Sequence, residues 1–188
     1  MKLRDNGKQP NFQGVELMGF PEPAKFRLVV AGPSDSGEID FLDVGGPAVM
    51  EQPGVFNAAW FWSVEGGHTR GNIGGPPSSV AVAGPDGSTL GISCFPAHSA
   101  GKLDVAAAGV ADAGHDGDPA MHATDTIDYE AVISGKVDIE LPGEKVRTLE
   151  AGDLLVMAGV PHAWKNHYDE DCVFIAVTIG YRRGSDRP

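Results

Sequence analysis

Glycine and proline interrupt this chain so often that long helices find no room in it. Among 188 residues there are 26 glycines and 14 prolines. In a helix interior the first costs about 1 kcal/mol and the second about 3 kcal/mol relative to alanine. Between these breaks, β-branched and aromatic residues cluster in short runs bounded by turn residues, which is the pattern of strands. Strands are predicted at Phe26 to Val30, Ile39 to Val44, Ala58 to Val64, Thr89 to Phe95 and Ala120 to Thr126. Further strands follow at Asp128 to Ser134, Val137 to Leu141, Val146 to Leu149, Leu154 to Met157, His162 to Trp164 and Val173 to Ile179. Many short strands with tight turns predict an all-β sandwich or barrel.

The second half carries the clearest local signals. Val137, Ile139 and Leu141 alternate with Lys136, Asp138 and Glu140, so one face is buried and the other wet. Pro142-Gly143 and Gly152-Asp153 supply turns on either side of Val146 to Leu149, before the apolar run Leu154 to Met157, and a compact antiparallel meander is predicted. Gly66 to Gly87 and Ser99 to Asp118 are predicted surface loops or lids, the second with one short helix over Ala106 to Ala113. Residues 1–25 have little periodicity and are expected to form an arm. One domain is expected over 26–188, the ordinary arrangement at this length.

Charge narrows the partners. Twenty-six acidic against 14 basic residues give a formal charge of −12, which repels phosphate backbones and anionic lipid headgroups, so neither nucleic acid nor membrane is an expected partner. Met1 to Lys8 lacks the apolar stretch of a secretory signal, and nowhere do about 20 apolar residues run together as a bilayer span requires. A cytoplasmic protein is expected. Cys94 and Cys172 lack the CxxC spacing of zinc or redox sites and read as core thiols.

Two motifs concentrate in residues 115–180. The first runs from His122 through Thr124 and Asp128 to Gly135; the second runs from Gly152-Asp153 to Gly159-Val160-Pro161-His162-Ala163-Trp164-Lys165-Asn166. Together they resemble the cupin superfamily, in particular small single-barrel proteins of the conserved-barrel, cupin type-2 kind. The family's first motif has a His-x-His pair, then a Glu, then a Gly seven residues further; Thr124 stands where the second His belongs and Asp128 where the Glu belongs. In the second motif Met157 replaces a proline, while the Gly-Asp turn, the His and the closing Asn are all present. The resemblance implies a jelly-roll β-barrel with extra N-terminal strands ahead of it, and a metal set that is degenerate. It brings no defined reaction.

In a strand, residues of equal parity share a face, so His122, Thr124, Asp128 and Glu130 point one way if no bulge intervenes. The resemblance implies that this way is into the barrel, and that His162 closes the cluster from a neighbouring strand. His122, Asp128 and His162 are then the expected metal ligands, a two-histidine, one-carboxylate set suited to Fe(II), Zn(II), Mn(II) or Ni(II). The missing second His weakens that set. Glu130 either faces the cavity, where an apolar setting raises a carboxyl pKa toward use as acid or base, or is turned to solvent by a bulge. Glu130 and Asp128 are the candidate catalytic acids, and Thr124 and Trp164 are candidate pocket residues.

The remaining histidines, His68, His98, His115 and His167, fall in loop contexts and read as solvated. Lys165 has outward parity relative to His162. Tyr129 and Trp164 are aromatic residues of the kind that pack small barrels, with Trp164 sharing parity with His162. Trp60-Phe61-Trp62 reads as a buried strand or a dimer contact, and Asn166 as the brace of its turn. Together with the expected arm, these strands suggest a homodimer, as the resemblance also implies.

Two functions remain open on the sequence. One is an enzyme acting on a small, largely apolar organic metabolite, metal-assisted in the manner of a dioxygenase, lyase, decarboxylase or isomerase. The other is a metal-free barrel that holds a small-molecule ligand without catalysis. Burying two histidines and several polar side chains on one face is costly without a purpose, which favours a functional cavity.

Overall fold

The computed structural model describes residues 22–34, 36–108 and 117–182. A short 3-10 turn at Pro23–Lys25 leads into β1 (Val30–Pro33) and β2 (Ile39–Leu42), which pair with each other alone. β3 (Ala48–Gln52), β4 (Phe56–Val64) and β5 (Ser88–Phe95) open the main sheet. One turn of helix, α1 (Val105–Ala108), follows. Then come β6 (Thr126–Ser134), β7 (Lys136–Leu141), β8 (Lys145–Glu150), β9 (Leu154–Ala158), β10 (Ala163–Lys165) and β11 (Cys172–Gly180).

A six-stranded sheet in the order β3-β4-β5-β11-β6-β9 faces a three-stranded sheet in the order β10-β7-β8, every pair antiparallel. Their inner faces share one core in which Phe56, Trp60, Phe95 and Phe174 of the larger sheet meet Val137, Ile139 and Trp164 of the smaller. This is the expected all-β jelly roll, with β1 to β3 as the extra N-terminal strands. A second, smaller core of Ala59, Phe61, Ile92, Cys94 and Val173 lies on the outer face of the larger sheet.

Several predicted elements shift. The strand expected at Phe26 to Val30 begins only at Val30, and β3 was not foreseen. Of the strand expected over Ala120 to Thr126, only Thr126 joins β6 and His122 forms one bridge, because Asp118 and Pro119 set up a turn whose backbone bonds back on itself. The meander holds only for β7 and β8; β9 leaves it to pair with β6 across the barrel. The short link between β8 and β9 carries the chain from one sheet to the other, and Leu155 and Met157 thereby turn onto the inner face. Trp60 and Phe61 are buried within the fold, so that stretch is a core strand. Most of the expected arm, His115 and most of the helix expected over Ala106 to Ala113 lie outside the described residues.

Cys94 and Cys172 are both buried and free, and burial pushes each thiol up to about 12, the state of inert core residues. No helix among the described residues is long and apolar enough to cross a membrane.

Candidate functional site inside the barrel

The space between the sheets holds a cavity that opens to solvent. Its walls are mostly apolar, from Phe56, Phe95, Leu103, Val105 and Phe174, and its polar lining includes His122, Thr124, Asp128, Glu130 and His162, with Ser93 and Thr178 beside them. The candidate pocket residue Trp164 lines it too, stacked on Phe174 with centroids 4.9 Å apart. The structure thus brings every candidate site residue to one cavity.

Period-two alternation in β6 accounts for the acids. Ile127 and Tyr129 face outward and are partly exposed, whereas Asp128 and Glu130 face in. The one irregularity in the β6–β11 ladder comes at Val173/Phe174, beyond Glu130, so no bulge turns Glu130 to solvent. Asp128 lies opposite Thr178 and Met157, and Glu130 lies opposite Ala176 and Leu155. Burial raises the Asp128 carboxyl despite an opposing hydrogen bond from Thr126. Burial, and then the Asp128 charge beside it, pushes Glu130 up to about 8. Asp128 Oδ1 and Glu130 Oε2 are shut off from solvent with no hydrogen-bond partner among the described residues.

The two histidines meet at the cavity through their backbones. His122 N–H donates to His162 O at 2.9 Å and His162 N–H donates to His122 O at 2.8 Å, which brings the rings to 4.4 Å between centroids. Each Nδ1 sits 2.9 Å from the carbonyl oxygen two residues before it, Ala120 O for His122 and Val160 O for His162. A carbonyl only accepts, so both rings donate a proton from Nδ1. Burial, with His122 adding to it, lowers His162 to about 4, and the imidazole is neutral at physiological pH.

A polar strut supports His122. Lys165, expected to point outward, is buried and its Nζ donates to Asp118 Oδ2 at 2.5 Å. Asp118 Oδ1 accepts the Ala120 N–H at 2.9 Å, and the Ala120 carbonyl accepts from His122. Burial works to raise Asp118, but the Lys165 and Ala120 donors outweigh it and hold the carboxyl below its usual range. Asn166 is fully buried, donating to Phe95 O and Glu170 O and accepting from Tyr168 N–H, and so braces its turn as expected. His98 pairs with Asp169 at the surface.

The metal set is less complete than the resemblance implies. Thr124, in the place of the second His, spends its hydroxyl on Thr126 at 2.7 Å. Among the described residues no three His, Cys, Asp or Glu side chains converge closely enough to hold one ion. A resident metal held by His122, Asp128 and His162 together does not fit this arrangement: the histidines meet, and the carboxyl does not join them.

Trp60, read from the sequence as part of a buried strand or a dimer contact, lines the cavity as well. Gly91, placed mid-strand in the run Thr89 to Phe95, was the available signal, since a strand glycine often marks close approach by another group.

A cupin domain family model matches residues 110–178. The Phomopsin biosynthesis cluster protein C' of Diaporthe leptostromiformis is 40% identical over 50 residues, 27% of this chain and 26% of that protein. The Oryzines biosynthesis cluster protein J of Aspergillus oryzae is 38% identical over 49 residues, 26% of this chain and 27% of that protein. The aligned stretch is thus about a quarter of each relative's length. Among solved structures, the cupin domain of Schizosaccharomyces pombe Cnp3 aligns with a TM-score of 0.48 at 10% identity, covering 86% of this chain and 89% of that one. With both motifs on the inner wall of an antiparallel barrel and the domain match lying over them, residues 110–178 are the cupin domain of this chain.

Proposed function

We propose that the barrel is the active site of an enzyme that moves protons on a small, largely apolar organic molecule bearing a carbonyl or hydroxyl group. The observation that carries this reading is the pair of buried carboxyl oxygens, Asp128 Oδ1 and Glu130 Oε2, left without partners in a cavity with apolar walls. A buried polar atom without a partner costs about 1–3 kcal/mol, and a ligand that bonds it removes that cost. The two relatives are named for biosynthesis clusters, which accords with a small organic substrate over the stretch that aligns.

Glu130, at about 8, keeps its proton at neutral pH and serves as the general acid. Asp128 serves as the base. In the step these roles allow, Asp128 takes a proton from the carbon beside a carbonyl. The C–H pair forms the carbon–carbon double bond, and the carbonyl oxygen takes the proton of Glu130. His162, neutral and with its Nε2 lone pair, accepts a hydrogen bond from a substrate hydroxyl without competing for the proton. Metal assistance by Fe, Zn, Mn or Ni would require Asp128 to join His122 and His162, and the carboxyl does not converge on them.

The test is exchange of the methyl protons of acetophenone in D2O, followed by NMR. Wild-type protein is expected to accelerate exchange over buffer, and Asp128→Asn to lose it by about 10²-fold or more. Binding with no acceleration would overturn the enzyme reading in favour of a barrel that only holds its ligand.

A further inference from the structure

Within that reading of the cavity as a small-molecule site, we infer that Trp60 determines what it accepts: its indole N–H anchors the oxygen of a flat, aromatic carbonyl compound. The strand register places the residue. Across the larger sheet one continuous row runs Ala48, Trp60, Gly91, Ala176, Glu130, Leu155, and directly paired residues put their side chains on the same face. Trp60 and Glu130 are therefore the two polar-tipped side chains of the row, and the two smallest residues lie between them. With strands about 4.8 Å apart, three spacings put their Cα atoms about 14 Å from each other, and the side chains face each other over a floor of Gly91 and Ala176.

The indole is held firmly. A Cβ on Gly91 would fall 1.2 Å from Trp60 Cε3 and 1.5 Å from Cζ3, so the benzo edge of the ring fills the space above this glycine. Nε1 lies on the opposite edge of an indole. It belongs to a cavity-lining side chain that is only 5% exposed, and it is buried with no hydrogen-bond partner among the described residues. Buried indole N–H groups ordinarily find one. A bulge next door explains how the ring is aimed: the β4–β5 register skips between Trp60 and Trp62, leaving Phe61 as the extra residue and sending it to the outer core.

The shape of the occupant follows from the wall. Phe95, Trp164 and Phe174 lie within 23° of parallel to one another, which favours a planar guest laid along them. Along the row the guest meets a donor that cannot accept, Trp60 Nε1, and at the far end a carboxyl. A carbonyl oxygen on a ring matches the first with one lone pair and leaves the other for the protonated carboxyl of Glu130.

The probes are acetophenone and α-methylstyrene, which share a planar shape and differ in C=O against C=CH2. With intact protein, acetophenone is expected to shift the Trp60 indole N–H resonance downfield, while α-methylstyrene leaves it within the noise. Trp60→Phe keeps an aromatic ring over Gly91 and is expected to weaken acetophenone about fivefold more than α-methylstyrene, the size of one hydrogen bond. Equal losses for both probes, or an unmoved Trp60 resonance with acetophenone bound, would overturn the role of Trp60 and leave the pocket reading standing. Failure of both probes to bind wild-type protein would overturn the pocket reading and this inference together. The wild-type resonance shift needs no variant, so a Trp60→Phe protein that folds poorly does not remove the test.

Discussion

Trp60 and Gly91, paired across β4 and β5, occupy one volume between them: the edge of the indole stands where a side chain on residue 91 would begin. Gly91→Ala is therefore expected to destabilise the fold by about 1–3 kcal/mol through overpacking. Urea denaturation measures this, and a change in near-ultraviolet circular dichroism should accompany it as Trp60 is displaced. An alanine accepted at no cost would mean the ring is free to lie elsewhere.

The stability of the protein should fall from about pH 4.5 to about pH 8 because of Glu130. Its carboxyl goes from an ordinary 4.5 to about 8 in the fold, so between these values the native state holds a proton that the unfolded chain has released, and stability declines as pH rises. His162 acts in the other direction below its ordinary 6.5, since folding lowers it to about 4 and stability is lost as pH falls through that window. Glu130→Gln removes the first effect. Its stability advantage over wild type is expected to be small near pH 5, to grow to about pH 8 and to be constant above. A difference that does not vary with pH would place the carboxyl in water.

Breaking the Lys165–Asp118 strut should be felt at His122. Asp118→Asn weakens the charge-assisted bond to Lys165 and is expected to cost about 1–3 kcal/mol, since the pair is only partly shielded from solvent. The more specific readout is the pair of His122 ring 15N shifts. In wild type they should report a hydrogen-bonded proton on Nδ1, and in the variant a weakened Nδ1 hydrogen bond, as the Ala120 carbonyl loses its fixed direction. Unchanged ring shifts in a destabilised variant would make the strut a matter of folding alone.

Metal content follows from the separation of the carboxyl from the histidine pair. Protein purified without chelator is expected to carry far less than one equivalent of Fe, Zn, Mn or Ni, and excess Zn(II) to leave the melting temperature nearly unchanged. An ion bound by the native state alone at 100 times its Kd would instead add about 2.7 kcal/mol. One full equivalent, lost in His162→Ala, would show that Asp128 or Glu130 moves to complete the set.

What the sequence determined by itself was local. Turn residues at Pro142-Gly143 and Gly152-Asp153, and the alternation of Val137, Ile139 and Leu141, depend on neighbours within a few positions, and they located β7 and β8 closely. The motif residues His122 and His162 were legible because a short pattern of residue types and spacings carried them. Tertiary structure decided the rest, because it concerns residues far apart in the chain. β9 joined β6 and left the hairpin beside it. A bulge at Phe61 and a bare Gly91, 30 positions on, made a cavity wall of Trp60, which the sequence offered as part of a buried strand or a dimer contact. Asp118 drew Lys165 out of its expected outward position, and the uninterrupted β6–β11 register, not parity alone, kept Glu130 inside. Propensity and period act along a strand; which faces meet, and which polar atoms are left without partners there, is set by the register between strands.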